Sequence, residues 1–143
     1  MATIVIIEDN ALMRVTIKQM LRRDGYEILE AADGPAGIAL VRSARPDLII
    51  LDLMMPFMSG DEVARYLRYE PELASIPIIV LTALNQTDMV LDLLSLQNVR
   101  DYYLKPVDLV AFRQRVKALV NTPASLAPDP DGLSDIGAQA GDK

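Results

Sequence analysis

The chain alternates short apolar runs with longer stretches in which apolar residues recur every three or four positions. Residues 3–7, 26–30, 47–51, 77–81 and 101–104 read as strands. Residues 11–23, 35–45, 61–69, 86–97 and 108–120 read as helices. In the first helix Met13, Ile17, Met20 and Leu21 fall on one face. Asn10 is placed to cap its start and Gly25 to stop its end. Pro46 and Pro71 close the second and third helices, and Asn85 is placed to cap the fourth. The runs Leu48–Leu51 and Ile78–Leu81 are apolar at consecutive positions, without alternation. Such strands are covered on both faces, so strands separated by helices predict an α/β fold built on a parallel sheet.

A length of 143 residues with 51% hydrophobic residues predicts one domain with a real core. The composition changes after Val120. Residues 121–143 hold three prolines, four Asp and one Lys, with no apolar period. We expect a domain over residues 1–120 and a flexible tail or linker over 121–143. The net charge of -6 argues against direct nucleic-acid binding by this segment. No Cys and no His are present. Thiol chemistry, disulfides, most zinc sites and the usual general base at neutral pH are thereby removed. Any chemistry must run on carboxylates, hydroxyls, Lys and a hard metal held by oxygen. The run Ile4–Ile7 is too short for a signal peptide or a membrane span, so a cytoplasmic protein without a membrane segment is expected.

In an open parallel sheet, ligands bind beyond the carboxyl ends of the strands. Glu8 and Asp9 follow the first strand, Asp52 the third, Thr82 the fourth and Lys105 the fifth. With the common order 2-1-3-4-5, the first and third strands are neighbours and the three carboxylates share one pocket. Their repulsion would be relieved by a divalent cation, and an all-oxygen donor set suits Mg²⁺. Asp52 could then act as a nucleophile toward phosphorus, with the cation and Lys105 neutralising the charge on the transferred group and Thr82 donating to it. Taken singly, an Asp after a strand is usually a turn residue, an acidic pair is usually solvated and Lys-Pro means little. Their strength lies in the order, each at the end of a different strand.

Over residues 3–120 the chain resembles the receiver family of two-component response regulators, of which the chemotaxis response regulator is the simplest member. The resemblance is carried by Ile6-Ile7-Glu8-Asp9-Asn10, Asp52-Leu53-Met54-Met55-Pro56 with Ser59-Gly60, Thr82-Ala83 and Tyr102-Tyr103-Leu104-Lys105-Pro106. It implies a doubly wound five-stranded sheet of order 2-1-3-4-5 flanked by five helices, a flavodoxin-like three-layer sandwich. It implies Asp52 as phosphoacceptor and Mg²⁺ held by Asp9, Asp52 and the Met54 carbonyl, with Glu8 through water. Lys105 would pair with the phosphoryl group, and Thr82 with Tyr102 would form the switch. The implied partner is a histidine kinase or histidine phosphotransfer protein, with a small phosphodonor as the other source. A homodimer through the fourth helix, fifth strand and fifth helix is also implied as an option.

Some positions depart from the family pattern. Asn98 stands where a Gly is common before the fifth strand, and is expected to take the left-handed turn in its place. Met54 and Leu84, two positions past Asp52 and Thr82, cannot hold an attacking water, so rapid self-dephosphorylation is not expected. Met89, Val90, Leu91, Leu93, Leu94 and Leu96 cannot all face one core, and Leu91 or Leu96 is expected in a protein contact. Two other readings predict different residues. A receiver-like adaptor that no longer uses phosphate would be expected to have lost Asp9 or Lys105. A flavodoxin-like cofactor protein would show a Gly-rich phosphate loop after the first strand, and an aspartate-based phosphatase a second acid where Met54 stands.

Overall fold

The computed structural model describes residues 2–83 and 87–120, with residues 87–90 as backbone only. Five strands and five helices alternate along the chain: β1 Thr3–Ile7, α1 Ala11–Arg23, β2 Glu27–Ala31, α2 Gly34–Ala44, β3 Leu48–Asp52, α3 Gly60–Arg68, β4 Ile78–Thr82, α4 Thr87–Leu94, β5 Val99–Leu104 and α5 Leu109–Val120. The strands form one parallel sheet of order β2-β1-β3-β4-β5. This is the doubly wound fold expected from the sequence.

Why the central strands are apolar throughout is visible in the two cores. Alternate residues of a strand point to opposite faces. Val5, Ile7, Ile49, Leu51 and Val80 pack with Ile38, Val41, Val63 and Leu67 from α2 and α3. Ile4, Ile6, Ile50, Ile79 and Leu81 pack with Ile17, Leu21, Phe112 and Val116 from α1 and α5. The sheet is therefore buried from both sides, and all five residues of β3 and of β4 are buried. Phe112 meets Tyr103 edge-on, with ring centroids 5.7 Å apart.

The caps follow the sequence in part. The Asn10 side chain accepts from the Met13 N–H at 2.9 Å, and Asp33 caps α2 from Ala36 at 2.8 Å. Gly25 follows α1 at φ 95°, where a side chain would be strained. The end of α2 is different: Arg45 takes the left-handed conformation at φ 49° before Pro46.

Three expectations are corrected. β5 begins at Val99, not at residue 101, because the register against β4 slips between Ile78 and Ile79 and an irregular strand start hides its pattern. α4 ends at Leu94, and the turn from Ser95 to Gln97 is tightened by Leu96 N–H donating to the Leu93 carbonyl at 3.0 Å. Asn98 does not take a left-handed conformation. It is buried instead, and its Nδ2 donates to the Ala64 carbonyl at 3.2 Å, tying the start of β5 to α3. The side chains of Met89 and Val90, and residues Leu84, Asn85, Gln86 and 121–143, lie outside the described residues. Among the described residues no helix is long and apolar enough to cross a membrane.

Candidate functional site

The carboxyl ends of β1, β3, β4 and β5 bring Glu8, Asp52, Thr82 and Lys105 to one place. β1 pairs with β3 from Ile4 to Ile7, so the residues after Ile7 stand beside Asp52. Glu8 is 1% exposed and Asp52 3% exposed, whereas Asp9 faces solvent. One carboxylate oxygen of each lies within 4.8 Å of the other two. Thr82 is fully buried at the end of β4, and its carbonyl accepts from the Lys105 N–H at 2.8 Å. That bond fixes where the Lys105 side chain starts.

Lys105 Nζ stands 2.9 Å from Glu8 Oε1 and 3.6 Å from Asp52 Oδ1. It thus bridges both buried carboxylates, with the shorter contact to Glu8. Asp52 Oδ1 also accepts from the Met54 N–H at 3.3 Å, and Glu8 Oε2 from the Asn10 N–H at 3.1 Å. Two carboxylates and one ammonium leave the pocket floor short of positive charge. Burial, together with the hydrogen bond and charge of Glu8, pushes the Asp52 carboxyl up to about 7, against the opposing pull of Lys105 and the Met54 N–H. A divalent cation would remove that penalty. An all-carboxylate donor set fits a hard ion such as Mg²⁺, so Glu8, Asp9 and Asp52 could hold a metal here.

The loop after β3 is shaped for this pocket. A Cβ on Gly60 would stand 2.3 Å from the Asp52 carbonyl oxygen and 2.7 Å from Leu53 Cα, so only glycine allows α3 to begin against the Asp52 backbone. Phe57 is 92% exposed and sits at φ 69°, a conformation that non-glycine residues rarely adopt. Met55 and Met58 pack against the core, and Met54 is exposed. On β5, Tyr102 is half-exposed opposite Val80.

Arg14, on α1, braces the site from outside it. Its Nη1 donates to the Glu8 carbonyl at 2.7 Å and its Nε to Glu30 at 2.9 Å, so α1 and β2 together hold the backbone that carries Glu8. Nothing in the pattern distinguishes it from other basic residues of an exposed helix face.

Residues 4–117 match the response regulator receiver domain family. The chain belongs to that family. This receiver domain is 34% identical over 121 residues to protein PilH of Pseudomonas aeruginosa, covering 84% of this chain and 98% of that protein. It is 43% identical over 118 residues to the sensor histidine kinase TmoS of Ectopseudomonas mendocina, covering 82% of this chain but only 12% of that protein. Among solved structures, it is similar to the receiver domain of the P. aeruginosa sensor histidine kinase PA1611, which has a magnesium ion coordinated in its active-site cleft. That likeness has a TM-score of 0.75 and 27% identity, covering 83% of this chain and 97% of that one. Receiver domains are signalling modules of two-component systems, and relatives range from a protein of about this size to a much longer kinase.

Proposed function

We propose that this receiver domain accepts a phosphoryl group on Asp52 and uses it to change the surface around β5. The observation that carries this reading is the arrangement about Asp52: a buried carboxylate at a strand end, next to Glu8 and Asp9, with Lys105 Nζ 3.6 Å away.

In the proposed reaction an Asp52 oxygen attacks phosphorus, forming a carboxyl–phosphate anhydride. The bond from phosphorus to the donor breaks, and its electron pair leaves with a phosphohistidine imidazole or the acetate of acetyl phosphate. A Mg²⁺ ion held by Asp9, Asp52 and the Met54 carbonyl, with Glu8 through water, would supply positive charge to the transferred oxygens. Lys105 is placed to exchange its Asp52 contact for a phosphoryl oxygen, while its 2.9 Å bond to Glu8 keeps the ammonium in the pocket. Attack requires the ionised carboxylate, so conditions that hold Asp52 protonated slow the reaction.

Thr82 and Tyr102 are the proposed relay. Thr82 ends β4, next to β5, and a phosphoryl oxygen on Asp52 gives its hydroxyl a new acceptor. Tyr102 is the half-exposed aromatic of that neighbouring strand, and turning it inward would alter the α4–β5–α5 face. Exposed Leu91 on α4 and Leu104 on β5 belong to this face, which we propose as the surface for a partner or a second copy. Leu96 is partly buried against the core and is the poorer candidate. A histidine kinase or histidine phosphotransfer protein is the proposed donor. We also propose residues 1–120 as the functional unit and 121–143 as tail or linker.

Intact mass after incubation with acetyl phosphate tests the reading. One added phosphoryl group that requires both Mg²⁺ and Asp52 is expected. No addition by acetyl phosphate or by any kinase tried would favour a phosphate-independent adaptor.

A further inference from the structure

Three methionines lie within five residues of the β3–α3 loop, and their environments differ. Met55 and Met58 pack against the core, whereas Met54 is 55% exposed. Met13 and Met20 are also partly buried, so Met54 is the exposed methionine among the residues whose side chains are described. It is also tied to the acidic pocket. Its N–H donates to Asp52 Oδ1 at 3.3 Å, so its side chain leaves the backbone beside the carboxylate.

We propose that Met54 is a peroxide-sensitive modification site whose oxidation shortens the life of the phosphoryl group on Asp52. The inference rests on the phosphoacceptor reading above. Hydrogen peroxide transfers one oxygen atom to the Met54 sulfur: the sulfur loses two electrons, the O–O bond breaks and water leaves. The product is a sulfoxide, polar where the thioether was apolar. Exposure controls the order of reaction, so Met54 reacts before Met55 and Met58.

The consequence follows from hydrogen bonding. Hydrolysis of an aspartyl phosphate needs a water held in line with the phosphorus–oxygen bond. A thioether is a weak acceptor and offers such a water almost nothing. A sulfoxide oxygen accepts strongly, and Met54 lies two residues past Asp52 with its own N–H on the Asp52 carboxylate. From that position it would offer a water beside Asp52 an acceptor that the thioether does not. Methionine sulfoxide reductases reverse the modification, so the effect is reversible in principle. Oxidation would act as a second input that erases the first.

The test measures phosphoryl lifetime by intact mass after labelling with acetyl phosphate and Mg²⁺ and removal of the donor. The wild-type chain is compared before and after mild hydrogen peroxide, and peptide mapping reports which methionine gained oxygen. We expect Met54 to be oxidised before Met55 and Met58 and the lifetime to fall about three- to tenfold, well under the hundredfold that a positioned general base supplies. Met54→Gln, which carries a permanent acceptor, should shorten the lifetime without peroxide. Met54→Leu should show the same lifetime with and without peroxide, whatever its own value. Oxidation of Met55 or Met58 at the same rate as Met54 would overturn the proposal. So would an unchanged lifetime in oxidised wild type, or a peroxide effect that persists in Met54→Leu. Failure of untreated wild type to take any phosphoryl group would instead remove the acceptor chemistry beneath it.

Discussion

Replacing Asp52 by Asn should stabilise the folded chain, and the gain should depend on pH. Asp52 is 3% exposed, and burial beside Glu8 raises its carboxyl from the usual 3.8 to about 7. Between those two values the folded chain keeps a proton that the unfolded chain has released. The carboxyl therefore does not oppose folding below about pH 4, and opposes it increasingly as pH rises to 7. At about 1.4 kcal/mol for each pH unit, the penalty reaches about 4 kcal/mol at pH 8 but only about 1 kcal/mol near pH 4.5. Asn has the same shape and can still accept from the Met54 N–H, and Lys105 keeps its 2.9 Å bond to Glu8. At about 4 °C per kcal/mol for a folded body of this size, Asp52→Asn should melt about 16 °C higher at pH 8, and only about 4 °C higher near pH 4.5. Thermal melts followed by circular dichroism, with EDTA present, give both numbers. Equal gaps at the two pH values, or a lower melting temperature for the variant at pH 8, would refute the buried-charge argument. Mg²⁺ should narrow the gap from the other side. At tenfold its dissociation constant it adds about 1.4 kcal/mol to the wild type and much less to the variant.

Three further outcomes are expected. Lys105→Gln leaves Glu8 and Asp52 without their shared cation, and should cost about 2 kcal/mol at neutral pH by chemical denaturation and slow labelling by acetyl phosphate about a hundredfold. Gly60→Ala puts a methyl group 2.3 Å from the Asp52 carbonyl oxygen; the backbone must move, and a loss of about 3 kcal/mol in urea unfolding is expected. Phe57→Gly removes a left-handed strain while giving up no buried contact, since Phe57 is 92% exposed at φ 69°; it should raise the melting temperature by roughly 4 °C, from about 1 kcal/mol of relieved strain.

Much of this arrangement is legible in the sequence because burial on both faces writes itself as uninterrupted apolar runs. β3 and β4 are plain for that reason, and once their ends are known, Asp52 and Thr82 are plain as well. What stays hidden has local causes. The irregular pairing at Ile78–Ile79 breaks the pattern at the start of β5. Arg45 and Phe57 hold left-handed backbones that their residue types do not announce. Asn98 is an Asn by its buried contact to Ala64 and not by its backbone, a contact between residues 34 positions apart. The first partner of Lys105 is likewise a matter of distances: spacing brings the lysine to the acidic cluster, and only geometry shows that Glu8 holds it more closely than Asp52.

The Lys105–Glu8 bond joins residues 97 positions apart. A chain emerging during synthesis has its three carboxylates early, yet lacks the ammonium that lets them sit together until β5 has added to the edge of the sheet. The charge balance of the pocket is thus completed only when β5 is in place. Under the phosphoacceptor reading proposed above, a copy that ends before β5 has all three acids and no Lys105 to set against them.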